Sequence, residues 1–400
     1  MVLDPLTPGG VTGRQRAPWV LPTAGVALIA VCYGLARFAY GLLTPQMQDD
    51  LDFGPGLSGL IASGSYVGYC VAILVSTALT QRFGPRPVAV LAAALATGGM
   101  ALMSAAPGPG IMAVGVVVAG ASTGVASPPL AAAVAAWVRE PVRDRTQTLV
   151  NAGTGVGVLV SGPVAIAAAD QWRAAWAVFA VVAGLVGVAV LVAVPKGRPQ
   201  DGGRLATGAD QPVERRPGTG AVARLVAGSL LMGLSSIAVW TLGRVLMTSQ
   251  GQLPASTSAW VWTVLGAAGI LGGLGGDLTS RVGVATAWRV LLLAMAGATA
   301  GFALGPGSPP VAFVSAAAFG ASYIGLTGVA LVWSTRLYPQ RAAFGVGLSF
   351  LMIAVGQAVG APVVGRLAET FTLDVSFHVC AGVALLACFV GPRLPSPTRR

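Results

Sequence analysis

The sequence predicts an all-α membrane protein of twelve transmembrane helices in two pseudo-symmetric six-helix bundles. Three observations carry that prediction. The 400 residues are 55% hydrophobic and only 9% charged, against about 25% charged in an ordinary soluble domain. The apolar runs are long and continuous, which suits helices that cross a bilayer rather than the short alternating strands of a barrel. One pentapeptide also recurs: Tyr33-Gly34-Leu35-Ala36-Arg37 is echoed by Trp240-Thr241-Leu242-Gly243-Arg244. Both read aromatic, small, Leu, small, Arg, inside the first and seventh apolar runs.

Taken in order, the helices fall near 19–44, 57–80, 87–106, 109–137, 146–168 and 172–194 in the first half. In the second half they fall near 222–248, 257–279, 285–304, 309–334, 342–367 and 374–391. The connections alternate in charge. One set holds Asp49, Asp50, Asp52, Asp170, Glu369 and Asp374; the other holds the arginines. Of the 24 Lys+Arg, all but Arg37, Arg173, Arg244 and Arg366 fall on this second side, together with both termini. Positive charge marks the cytoplasmic side, so the sequence predicts a multi-pass protein of the cell membrane with both termini in the cytoplasm.

A polar run rich in Gly and Pro, residues 195–221, reads as a cytoplasmic linker. It separates bundles at 19–194 and 222–391, flanked by a segment at 1–18 and a tail at 392–400. The halves echo each other beyond the paired arginines. Gly120-Ala121-Ser122 matches Gly320-Ala321-Ser322, and Gln81-Arg82-Phe83-Gly84 matches Ser280-Arg281-Val282-Gly283. The first half carries eight more residues between its Arg and this motif, assigned to an acidic loop at 48–55. Repeats in the same orientation place a path between the bundles.

Other classes are disfavoured. The net charge of +11 lies in short loops and so points to topology rather than to nucleic acid. The four cysteines, Cys32, Cys70, Cys380 and Cys388, fall within apolar spans without metal-ligand spacing and read as small core residues. No phosphate-cradling Gly loop or nucleophile–His pair occurs. No enzyme activity, cofactor or metal is expected. His378, the lone histidine, reads as a packed side chain rather than a proton relay.

At this point the sequence resembles the major facilitator superfamily along its whole length. Thr77-Ala78-Leu79-Thr80-Gln81-Arg82-Phe83-Gly84-Pro85-Arg86 is similar to that family's motif between spans two and three, with Gln81 where the family has Asp. Gly276-Asp277-Leu278-Thr279-Ser280-Arg281-Val282-Gly283 is the second copy. The resemblance implies a latch between the bundles built on Gln81, Arg82, Gly84, Arg86, Asp277, Arg281 and Gly283. Gly34-Leu35-Ala36-Arg37-Phe38-Ala39-Tyr40 looks like the YbfB/YjiJ-type subgroup. Paired arginines on spans one and seven are similar to the organophosphate–phosphate antiporters of the same superfamily.

Arg37 and Arg244 are the sharpest functional clue. A guanidinium is always charged, and within a bilayer it faces a cavity or a partner. By the sequence, no Asp or Glu lies mid-span to neutralise either one. The pair therefore reads first as an anion clamp, second as a structural or gating device, third as side chains snorkelling to the headgroups. Tyr33, Tyr40, Tyr66, Asn151, Tyr323 and Gln357 are candidate cavity groups, and Trp240 is either a cavity group or an interfacial anchor. The expected function is secondary-active, alternating-access transport of a small organic anion, coupled to a proton or a counter-anion, by a monomer in the lipid bilayer. Efflux of amphipathic compounds is the alternative, and a non-transporting membrane sensor is the alternative of another class.

Overall fold

A computed structural model describes residues 19–168, 171–197, 217–273, 275–338 and 342–393. The segment at 1–18, most of the 195–221 linker and the end of the tail lie outside the described residues. Twelve helices are long and apolar enough to cross a membrane. They are α1 (Val20–Leu51), α2 (Pro55–Phe83), α3 (Pro85–Ser104), α4 (Pro109–Trp137), α5 (Thr146–Ala167) and α6 (Trp172–Ala193), then α7 (Thr219–Gln250), α8 (Ala255–Gly272), α9 (Val284–Leu304), α10 (Pro309–Leu337), α11 (Phe344–Thr370) and α12 (Leu373–Val390). No strand occurs among the described residues. We call the two ends of the molecule acidic and basic, after the connections they carry.

Local chemistry sets several helix starts. Pro55, Pro85, Pro109 and Pro309 each stand in the first turn, where the missing amide is harmless and the fixed φ is already helical. The repeated basic-end motif is also a conformational repeat. Gly84 and Gly283 have φ of +85° and +82°, and their amides close the preceding helices onto Thr80 and Thr279 at 2.9 and 3.0 Å. That backbone region is open essentially to glycine alone.

Two boundaries differ from expectation. α1 runs to Leu51, so the residues assigned to an acidic loop are mostly helical. The eighth span breaks: α8 stops at Gly272, and a short separate helix, Gly275–Val282, carries the motif. The run Gly272-Gly273 and Gly275-Gly276 is a poor helix interior, which accounts for the break.

Small residues position the helices. A methyl on Gly34 would come within 2.4 Å of Gly157 Cα, joining α1 to α5. The matching seam in the second half is α7 on α11, where a methyl on Gly233 would meet the Ile353 carbonyl at 2.0 Å. Between the halves, Gly59 of α2 abuts Ala361 of α11, and Gly266 of α8 abuts Leu159 of α5. Where lipid tails compete equally for apolar surface, such close approach supplies the packing. The helices sort into layers accordingly. In their apolar windows α1 is 89% buried and α6 only 33%, so α1 is central and α6 presents Val181, Leu185 and Val188 outward.

Glycine at the basic-end turns is therefore conformational, not steric. Nothing lies within 4 Å of a methyl placed on Gly283 or on Gly297. Gly283→Ala is expected to lower stability by about 1–3 kcal/mol. Gly297→Ala, inside α9, is expected to be neutral or to stabilise by up to about 1 kcal/mol. Thermal unfolding in detergent checks both, and equal melting temperatures for the two variants would contradict the assignment.

Candidate functional site

Arg37 sits in the middle of α1, inside a nine-residue stretch of π-helix, Ala30–Phe38. π-turns inside α-helices are frequent at functional sites. The side chain is only 7% exposed. Its Nη2 donates to Gln357 Oε1 of α11, across the boundary between the halves. The Gln357 amide in turn donates to Tyr323 Oη of α10 at 3.1 Å and to Ser236 Oγ of α7 at 3.2 Å. Around the guanidinium carbon lie the ring centroids of Tyr66 at 4.5 Å, Tyr69 at 4.9 Å, Phe38 at 5.0 Å and Tyr33 at 5.9 Å. The charge is thus cushioned by aromatic faces and one neutral amide, with no carboxylate in contact.

A small cavity lies on the basic-end side of Arg37. The first half contributes Tyr33, Arg37, Phe38, Tyr69, Asn151 and Thr154 to its walls; the second contributes Tyr323, Thr327, Phe350, Gln357 and the aliphatic Ile324, Ile353 and Ala354. Asn151 Nδ2 reaches Thr327 Oγ1 across the boundary at 3.3 Å, and Tyr33 Oη bonds Ser127 Oγ at 2.7 Å. Phe38 stacks on Trp240 at 3.9 Å, and Phe319 stacks on Tyr323 at 5.9 Å. The result is one cation, two amides and several hydroxyls framed by aromatic planes. Among the described residues no cluster of His, Cys, Asp and Glu could hold a metal.

Arg244 is placed elsewhere. It is 2% exposed and donates to Ser258 Oγ (3.0 Å) and the Ala255 carbonyl (3.2 Å) of α8, and across the boundary to Gln46 Oε1 (2.8 Å) and the Leu42 carbonyl of α1. It does not line the cavity, so the two forks do not face one site. The register explains this. Arg37 stands 14 residues before the acidic end of its helix and Arg244 six before that of its own. Eight residues are about 12 Å along a helix axis. The eight extra first-half residues extend α1 instead of forming a loop, so matching sequence does not give matching depth.

The acidic end is closed by further bonds between the halves. Glu369 Oε1 of α11 accepts from the Gly56 amide at the N-terminus of α2 (2.8 Å), where a carboxylate also meets the positive end of the helix dipole. Ser63 Oγ donates to the Ala358 carbonyl at 2.7 Å. The cavity thus lies on the basic-end side of Arg37, and these ties join the halves toward the acidic end.

The remaining expected residues divide in two. Gln357, Tyr323, Tyr33 and Asn151 come together at the cavity. Tyr40 is turned to Ser58 of α2, with 3.1 Å between the hydroxyls, and Tyr66 packs behind Arg37; neither lines the main cavity. Trp240 is 3% exposed and is a core aromatic, not an interfacial anchor. His378 is exposed, with Nδ1 2.8 Å from the Asp374 carbonyl, which corrects the packed reading. Of the motif residues, Arg86 donates to the Leu191 carbonyl of α6 in its own half. Gln81 and Arg281 are exposed. The side chain of Asp277 lies outside the described residues. Ser236, Thr327, Gln46 and Glu369 were missed as site residues. Their signal is weak, because single hydroxyls and amides in apolar helices usually satisfy the backbone.

Residues 26–350 match the family model of the Major Facilitator Superfamily. No curated protein matches the chain in sequence. Among solved structures, a mutant of the nucleoside transporter NupG superposes with a TM-score of 0.70 at 13% identity, covering 92% of this chain and 98% of its own. A bacterial homologue of the human lysosomal transporter Spinster, in an inward-facing and occupied conformation, gives 0.70 at 12% identity, covering 94% of this chain and 96% of its own. Its inward-facing unoccupied form gives 0.67 at 13% identity, covering 94% and 95%. At such identities these structures speak for the fold alone. The matched residues span most of the chain, and the twelve-helix architecture agrees: the protein belongs to the Major Facilitator Superfamily and is a transmembrane transporter.

Proposed function

We propose that the protein is a secondary-active carrier of a small organic anion, working by alternating access, with Arg37 as the anion ligand. One observation carries the reading: a buried guanidinium lies at the boundary of the halves, beside a cavity, with a neutral amide and aromatic faces as its partners. A charge removed from water needs a counter-charge, and an anionic substrate supplies it in bidentate form. The aromatic walls suit a flat or partly apolar body attached to the anion. The α1 motif supports the YbfB/YjiJ-type subgroup. Positive-inside loop charge supports cytoplasmic termini in the cell membrane, and hence a cavity open toward the cytoplasm. The carrier acts as a monomer, and a proton or counter-anion accompanies the substrate.

In this reading Arg244 is a gate residue. It ties α7 and α8 to the α1 carbonyl and amide groups on the side the substrate must later leave or enter. The motif residues Gln81, Arg82, Gly84, Arg86, Asp277, Arg281 and Gly283 serve the opposite gate. The aromatic lining also favours a second reading, efflux of amphipathic compounds with Arg37 structural.

A thermal-shift screen separates the two. Carboxylates and phosphate esters are compared with cationic and neutral amphiphiles. A specific anion is expected to stabilise the wild type, and its half-saturation is expected to rise tenfold or more in Arg37→Gln, since a hydrogen bond to a charged group contributes about 1.5–3 kcal/mol. Stabilisation by amphiphiles alone, unchanged in the folded variant, would move efflux to first place. For the gate, Arg244→Gln is expected to lengthen the distance between spin labels at positions 49 and 372, in opposite halves of the acidic end. An unchanged distance distribution would remove Arg244 from the gate.

A further inference from the structure

We propose that a second, smaller cavity, on the acidic-end side of Arg37, is a binding site for a small monovalent inorganic anion of halide size. It lies between α1, α2, α4 and α7, and its polar wall is Arg37, Tyr40, Ser65, Tyr66, Trp240 and Thr241. Four polar atoms of these residues have no hydrogen-bond partner: Arg37 Nε, Ser65 Oγ, Trp240 Nε1 and Thr241 Oγ1. Each belongs to a side chain that is at most 7% exposed. Buried polar groups are nearly always paired, and an exception calls for an occupant or a function.

The donor inventory selects the occupant. The guanidinium Nε–H and the indole Nε1–H can only donate, and both hydroxyls can donate as well. Tyr40 is already engaged with Ser58. No carboxylate lines the wall. A single water could accept from the two N–H groups and donate to the two hydroxyls, but it would leave the charge of Arg37 unneutralised. A halide accepts from N–H and O–H alike and adds the negative charge that Arg37 lacks. The organic body of a substrate fits the larger cavity on the other face, where Nη2 is held by Gln357. Arg37 is thus shared between a front cavity and a rear one. The rear site does not require that the transported substrate be an anion.

The test uses the full-length protein in detergent with bulky methanesulfonate as background salt. Chloride and bromide are titrated at constant ionic strength, and melting temperature is read for wild type, Thr241→Val and Trp240→Phe. The expected result is a saturable rise in wild type, with half-saturation about tenfold higher in each variant. No halide-specific rise in wild type would overturn the site. Equal titrations in wild type and variants would mean an adventitious ion only. Where a variant does not fold, anomalous scattering from wild-type crystals grown in bromide decides. A peak between Arg37 and Trp240 supports the site, and its absence at saturating bromide rejects it. Adding organic anions in the same background keeps the two ideas apart: halide binding without organic-anion binding would sink the substrate reading alone.

Discussion

The structure depends on keeping the positive charge of Arg37 inside a low-dielectric protein without a carboxylate beside it. Arg37 achieves this through distributed partners. Aromatic faces surround the guanidinium, and Gln357 fixes one arm. Gln357 is itself held by Tyr323 and Ser236, so residues of α1, α7, α10 and α11 meet at one amide. The charge that binds the anion in the proposed reading also couples the two halves of the protein. Any movement of one half against the other alters the environment of the guanidinium.

The seams between the halves permit such movement. At Gly59–Ala361 and Gly266–Leu159 backbone meets backbone. Smooth small-residue contacts favour rigid-body rocking over local rearrangement. The polar ties at the acidic end are few and made by groups that water can replace: a helix amide with Glu369, a serine hydroxyl, and Arg244 on a carbonyl and an amide. A closed end built this way can exchange its polar contacts for water as it opens.

Much of this was legible in the sequence, for a physical reason. A bilayer demands long apolar helices with charges in the loops, and both are written residue by residue. The number of spans, the alternating ends and the interior place of Arg37 follow from that demand. Depth was not legible. The echo of Arg37 in Arg244 is real as a pattern, but register along a helix depends on where the helix ends, and α1 continues to Leu51. Ser236, rather than Arg244, bonds the same Gln357 amide that holds Arg37. The π-helix at Ala30–Phe38 also depends on tertiary packing that no local pattern states.

The neutral surroundings of Arg37 constrain the transport cycle under the proposed reading. When the carrier passes through a closed state, the cavity loses its water and Arg37 must be desolvated more fully. The penalty for an unpaired ion so buried is several kcal/mol, whereas a bound anion cancels most of it. Such a carrier reorients readily when loaded and slowly when empty, which is the behaviour of an exchanger. A carboxylate able to pair with Arg37 in the empty state would relieve this, but none lines either cavity. The small anion proposed behind Arg37 would supply the missing charge, and its presence would decide between obligatory exchange and net transport.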